Sequence, residues 1–215
     1  MAGRMLAVGV TNYESAEQAV DLGVRHLFIG SQTDRSILNG QGDHARSLAA
    51  LEKRAGEPLT VSVDEEGGLV QRLSEIIGEL PSAQQMANTM SPEQVRDLMV
   101  KHGKKIRALG ITVDFAPVVD LAGGQNVSDN AIGSRAFSAD PKVAADYARA
   151  YSEGLQQAGV TPVLKHFPGH GHATGDSHMG AVTTPPLEKM QDNDLLPFRE
   201  LVGVKGMSCL LYTSP

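Results

Sequence analysis

The sequence predicts an α/β protein in which repeated strand–helix units build a parallel sheet. Three observations carry that prediction. Apolar runs of strand length recur over 5–10, 24–29, 59–63, 113–119 and 160–164, helical patterns fill the intervals, and polar, glycine-rich stretches stand directly after the runs. The runs are rich in Val, Leu and Ile, the composition of strands covered on both faces.

Two helices have readable boundaries. Ser91 is placed to cap a helix with Pro92 at its first position and Gln94 closing a capping box; Val95, Leu98, Met99, His102, Ile106 and Leu109 then recur at helical spacing until Gly110. A second helix opens at Asp140-Pro141, places Val143, Tyr147, Tyr151 and Leu155 on one face and stops at Gly159. Both read as surface helices packed by a single stripe. A sixth strand is expected over 207–212, but the chain then ends without a further helix. Residues 1–205 therefore read as one domain, and 206–215 as an atypical, artificial or truncated end.

Composition narrows the function. The 215 residues are 41% hydrophobic and 20% charged, ordinary for a globular domain. The net charge of −6, with no run of Lys or Arg, offers no footprint for nucleic acid or an anionic membrane, so a small neutral substrate is expected. Cys209 is the one cysteine, which excludes an intrachain disulfide and gives no sign of a thiol-based metal site. No stretch reaches the roughly 18 apolar residues of a membrane span, and no cleavage site follows the first apolar run, so a cytoplasmic location is expected, with export by a signal absent from this chain left open. The sequence leaves the oligomeric state open.

The ends of the strands are where chemistry is expected. The third run leads into Asp64-Glu65-Glu66-Gly67-Gly68, the fourth into Asp120, and the fifth into Lys165-His166-Phe167-Pro168-Gly169-His170-Gly171. In a parallel α/β protein such segments lie on one face and converge on a pocket. Periodicity alone does not separate a closed barrel from a doubly wound sheet, but no G-x-G-x-x-G follows any run, which removes the main support for a dinucleotide site.

The densest constellation is 165–178, which holds four of the seven histidines with Lys165 and Asp176. A metal site built from His166, His170, His172, Asp176 and His178 has ligands enough. Its geometry is poor, because Phe167-Pro168-Gly169 between the first two histidines prevents the helix that would put both rings on one face. No metal and no cofactor are expected.

That loop, followed by Asp176-Ser177-His178, resembles the signature loop of bacterial family 3 β-N-acetylglucosaminidases, enzymes that trim N-acetylglucosamine from peptidoglycan-derived fragments. The likeness extends to Val63-Asp64-Glu65-Glu66-Gly67-Gly68 with Gln71-Arg72, to Phe115-Ala116-Pro117-Val118-Val119-Asp120, and to Ile132-Gly133 with Arg135 and Phe137-Ser138, all in the family's order. It reaches to about Val202.

The resemblance implies a (β/α)8 TIM-type barrel, of which the first five to six units are present. It implies that Asp64, Arg72, Arg135, Lys165 and His166 bind the non-reducing N-acetylglucosamine, with Asp64 accepting hydroxyl hydrogens and the cations donating to hydroxyl oxygens. It also implies that His178 is the general acid/base and Asp176 its orienting partner. Imidazole titrates near neutrality, so one group can protonate a leaving oxygen and then activate water.

Leu69 stands where members commonly carry a basic residue, and Ser134 and Ala136 replace an acidic residue and a serine beside Arg135. The family's nucleophile, an aspartate after the seventh strand, matches none of the aspartates present. The implied activity is retaining exo-β-N-acetylglucosaminidase action, with the nucleophile missing from this chain and the chain by itself inactive. A β-glycoside phosphorylase of the same family, a non-catalytic sugar-binding protein and a metal-dependent hydrolase are the competing readings.

Overall fold

The computed structural model describes residues 2–122, 132–175, 180–204, 206 and 208–211, the last four by backbone alone. In chain order the elements are β1 (Ala7–Val10), α1 (Tyr13–Asp21), β2 (His26–Ile29), α2 (Leu48–Ala55), β3 (Thr60–Val63), β4 (Glu65–Gly67), β5 (Val70–Gln71), α3 (Ser74–Ile77), α4 (Ala83–Thr89), α5 (Pro92–Ala108), β6 (Val113–Asp114), α6 (Pro141–Gln157), β7 (Thr161–Phe167), α7 (Leu187–Gln191), α8 (Leu196–Leu201) and β8 (Ser208–Leu211). Short 3-10 turns, among them Gly133–Arg135, punctuate the loops.

Six strands form one sheet in the order β1-β2-β3-β6-β7-β8, every neighbouring pair parallel, while β4 and β5 make a separate antiparallel hairpin. Spatial order equals sequence order. A doubly wound sheet reverses its order at a switch point, whereas a barrel winds in one direction, so the topology is that of a barrel's consecutive units. The strand expected over 207–212 is present as β8.

The helix signals hold where they are local. Gln94 N–H donates to Ser91 Oγ and Ser91 N–H to Gln94 Oε1, at 3.3 and 2.8 Å, completing the capping box of α5. Asp140 accepts from the backbone N–H of Lys142 and Val143 at the start of α6. The single-stripe reading of α6 is corrected. Val143 is exposed, and Ala144, Ala145, Ala148, Ala150, Tyr151, Ser152, Gly154 and Leu155 are buried. Small residues let the helix press on α5: a Cβ at Gly154 would lie 2.5 Å from Arg96 O and 2.6 Å from Met99 Cβ, and one at Gly103 2.7 Å from Ala158 Cβ. Alanines and glycines are buried on several sides where larger residues would leave no room for a neighbour.

Two strands differ from expectation. The fourth stops at Asp114, and the segment after it meets β7 again through Val163 N–H to Ala116 O at 3.0 Å and through the Val118–Lys165 bridge, with Pro117 between them offering no N–H to a ladder. The fifth runs on to Phe167, so Lys165 and His166 belong to the strand itself rather than to the loop after it. Burial is also less even than a doubly covered sheet implies. Leu27 and Ile29 of β2 are fully buried, but His26 and Phe28 on its other face meet Ser62 and Phe115 and stay partly exposed.

Candidate active site

The end of β3 sets the site by alternation. Successive side chains of an extended segment point to opposite sides, so Asp64 and Glu66 face one way and Glu65 the other. Glu65 is fully buried and accepts from Gln71 Nε2 at 2.9 Å, Arg72 N–H at 2.7 Å and Leu73 N–H at 2.9 Å, with His102 Nε2 at 3.1 Å. Its own backbone is held too: the N–H donates to Asp114 Oδ1 at 2.9 Å and the carbonyl accepts from Tyr151 Oη–H at 2.9 Å. One carboxylate thus fixes the β4–β5 hairpin and its exit. Asp114 beneath it is wholly buried, and burial pushes its carboxyl well above the usual aspartate range.

Glu66 collects cations instead. Lys165 Nζ lies 2.6 Å from Glu66 Oε1 and 2.7 Å from Asp64 Oδ1, and Arg135 grips Glu66 with Nε and Nη2, both at 2.8 Å. Burial acts to raise the Glu66 carboxyl, but the Arg135 hydrogen bonds and the Lys165 charge outweigh it and hold it below the ordinary value. Arg135 is raised in return, burial opposing and the Glu66 bond prevailing.

His166 completes the cluster. Asp120, buried behind it, accepts from His166 N–H at 3.1 Å and from His170 N–H at 2.7 Å, and lies 2.5 Å from His166 Nδ1. The Nδ1 proton therefore points to Asp120, which leaves Nε2 to accept from Arg135 Nη2 at 3.3 Å.

Four of the five residues expected to hold the sugar, Asp64, Arg135, Lys165 and His166, are brought into one connected network. Arg72 is not in it. Its backbone N–H serves Glu65, its carbonyl accepts from Arg35 Nε, and its side chain lines a cleft of about 320 Å³ with Ser31, Thr33, Arg35, Ser74 and Glu75. The expected pair Asp176 and His178 lies outside the described residues. Glu66 and Asp120 were not singled out as site residues from the sequence, although the period-2 spacing from Asp64 to Glu66 was a usable signal. His166, at the end of β7, and His172, in the loop after it, pair through their rings with separate carboxylates, Asp120 and Asp194. Among the described residues no group of three or more His, Cys, Asp or Glu is arranged to hold a metal ion.

Chemically, the cluster suits hydroxyl groups. Asp64 is its most exposed carboxylate, with its side chain 23% accessible and Oδ2 without a partner among the described residues. Acceptor and cationic donors side by side, at the carboxyl ends of parallel strands, are what a polyhydroxylated ring requires.

The profile of the family described as "Glycosyl hydrolase family 3 N terminal domain" matches residues 3–212. The chain belongs to glycoside hydrolase family 3. It is 48% identical over 202 residues to the beta-hexosaminidase LpqI of Mycobacterium tuberculosis, covering 93% of this chain and 50% of that protein. To the beta-hexosaminidase of Xylella fastidiosa it is 38% identical over 201 residues, covering 90% and 59%. Among solved structures, a family 3 glycosyl hydrolase from Mycobacterium smegmatis superposes with a TM-score of 0.91 at 47% identity, covering 98% of this chain and 62% of that one. The chain spans about half the length of the curated relatives it matches.

Proposed function

We propose that this family 3 chain carries the sugar-binding half of an exo-acting, retaining β-N-acetylglucosaminidase that releases N-acetylglucosamine from peptidoglycan-derived or related glycans. The observation that carries the reading is the Asp64–Lys165–Glu66–Arg135–His166 network on the strand ends. In this reading Asp64 accepts sugar hydroxyls and Lys165, Arg135 and His166 bind the remaining ring oxygens, with Arg72 reaching the ring from its own cleft. Each charged hydrogen bond of this kind contributes about 1.5 to 3 kcal/mol.

The chemistry proceeds in two displacements. A carboxylate from outside residues 1–215 attacks the anomeric carbon while His178, oriented by Asp176, gives its proton to the departing oxygen. The C–O bond breaks and a glycosyl ester forms; His178 then takes a proton from water, which attacks the same carbon and frees the enzyme carboxylate. Two inversions leave the β-configuration. No cofactor or metal enters.

A histidine acid/base also favours a second reading, transfer to phosphate, because a carboxylate in that place would repel the anionic acceptor. The test is product analysis on the full-length protein with para-nitrophenyl N-acetyl-β-glucosaminide and N,N′-diacetylchitobiose, with and without phosphate. Hydrolysis predicts β-N-acetylglucosamine first in both buffers. Sugar 1-phosphate formed only with phosphate assigns the phosphorylase, α-anomer formed first rejects retention, and no turnover in either buffer leaves a sugar-binding protein.

A further inference from the structure

Helix α6 touches the strand-end network through one tyrosine. Tyr147 and Tyr151 stand one turn apart on the same face of α6, and each hydroxyl donates to two backbone carbonyls. Tyr147 Oη lies 2.7 Å from Met90 O and 3.3 Å from Ala87 O, where α4 ends. Tyr151 Oη lies 2.9 Å from Glu65 O and 3.3 Å from Glu66 O, so its single hydroxyl proton is shared by the two carbonyls of β4. Tyr151 is 1% exposed.

Phe137 closes the other side. It follows Arg135 by two residues and is buried, with its ring edge-on to Tyr151 at 6.3 Å and stacked on Tyr147 at 5.7 Å. The turn before it is seated by Ile132 and Ala136, which are buried with Val118, and the residue after it is tied by Ala122 N–H to Ser138 O at 3.0 Å. The turn that presents Arg135 thus rests on the same face of α6 that holds the Glu66 backbone.

A buried tyrosine hydroxyl needs an acceptor, and many carbonyls would serve. What distinguishes Tyr151 is what its two contacts carry. Glu66 and Arg135 are 69 residues apart in sequence, and their two bonds, both at 2.8 Å, form only when both backbones are in place, because a paired guanidinium–carboxylate grip is directional. Glu66 also shares Lys165 Nζ with Asp64, at 2.6 Å against 2.7 Å. If Glu66 recedes, Lys165 and Arg135 are drawn to Asp64, the acceptor that a sugar hydroxyl needs.

We infer that Tyr151 is a positioning residue for sugar binding: its hydroxyl fixes the Glu65-Glu66 backbone and its ring braces Phe137, so that Glu66 and Arg135 meet in register and Asp64 is left to accept from the sugar. The inference rests on the sugar-site reading above.

The experiment compares the full-length protein with Tyr151→Phe, Tyr147→Phe and Asp64→Ala. Tyr147→Phe is the matched control, since it also removes one hydroxyl shared by two carbonyls and keeps a ring on Phe137. Affinity for N-acetylglucosamine is measured by calorimetric titration well below the melting temperature of each variant, with melting recorded alongside. Both tyrosine variants lose the same kind of bond, so similar falls in melting temperature are expected. Only Tyr151→Phe is expected to bind more weakly, by about tenfold, the scale of one charged hydrogen bond pulled out of line. Tyr147→Phe should bind like the parent.

Parent-like affinity in folded Tyr151→Phe, with Asp64→Ala weakened, overturns the inference and leaves the sugar site intact. Equal weakening in the two tyrosine variants also overturns it, because general loosening of α6 would then be the cause. Parent-like affinity in folded Asp64→Ala rejects the sugar-site reading and the inference with it. Should Tyr151→Phe fail to fold, Phe137→Leu, which keeps an apolar side chain against α6 and removes the ring contacts, decides by the same comparison.

Discussion

Glu65 and Glu66 are the same residue in adjacent positions, both nearly inaccessible, and they have opposite tasks. Glu65 is surrounded by neutral donors, two backbone N–H groups and the Gln71 amide, with one imidazole, and its effect is to hold the β4–β5 hairpin to α5. Glu66 is surrounded by cations, and its effect is to hold Lys165 and Arg135 together at the strand ends. The partners decide the role, and backbone alternation decides the partners. A carboxylate that satisfies amides is part of the fold, whereas one that concentrates positive charge where hydroxyls can reach it is part of the site.

The sharpest way to break this comparison is to remove Glu65. Glu65→Ala leaves two backbone N–H groups, Gln71 and His102 without this acceptor, and at about 1 to 3 kcal/mol for each orphaned buried group it should destabilise the protein by about 4 kcal/mol or more in urea unfolding. Activity per folded molecule should fall much less. The opposite result, a stable protein without activity, would place Glu65 in the site.

Glu66→Gln should do the reverse. It leaves Lys165 and Arg135 with Asp64 as their nearest counter-charge, and kcat/KM on N-acetyl-β-glucosaminides should drop about a hundredfold, equivalent to about 2.7 kcal/mol. The native Glu66 carboxyl is held below its ordinary value of 4.5, so its contribution to stability is fully present above that pH and is lost as the pH falls through the native value. The stability gap between parent and Glu66→Gln should therefore close on acidification, and a gap independent of pH would show that the charge is not what matters.

How much of this was legible in the sequence follows from range. Ser91, Pro92 and Gln94 announced α5, and Asp140-Pro141 announced α6, because caps act within one turn. The convergence of Asp64, Asp120 and Lys165-His166 was legible because strand ends share a face. Glu66 was hidden because Gly67-Gly68 read as a loop starting at Asp64, whereas Glu66 lies inside a strand, β4. His102 looked like one more position on an apolar stripe; its partner Glu65 lies 37 residues away, beyond anything local spacing reveals. His172 and Asp194, 22 residues apart, were hidden in the same way. Arg72 follows a tight hairpin, and sequence does not say which way such a side chain turns.

Smaller effects sharpen the account. Asp120→Asn puts an amide where His166 Nδ1 and two backbone N–H groups need an acceptor; weakening one charge-assisted bond should lower sugar affinity about tenfold with little change in melting. Equal affinity would mean that His166 does not meet the sugar. The smallest change is expected at Asp114, whose raised native pKa means that stability declines as the pH rises from the ordinary aspartate value of 3.8 toward it. Asp114→Asn should remove that decline, so that the variant gains on the parent as the pH rises. A large loss instead would show that the ionised form is needed.

The claim that the Lys165-centred network is a sugar site is tested most directly by calorimetric titration of N-acetylglucosamine, or a transition-state mimic of it, into the full-length protein and its Asp64→Ala variant. Asp64 is the accessible acceptor of the network and holds Lys165 at 2.7 Å. The account predicts affinity reduced about tenfold or more in a variant that melts like the parent, while equal affinity in the two folded proteins would contradict it.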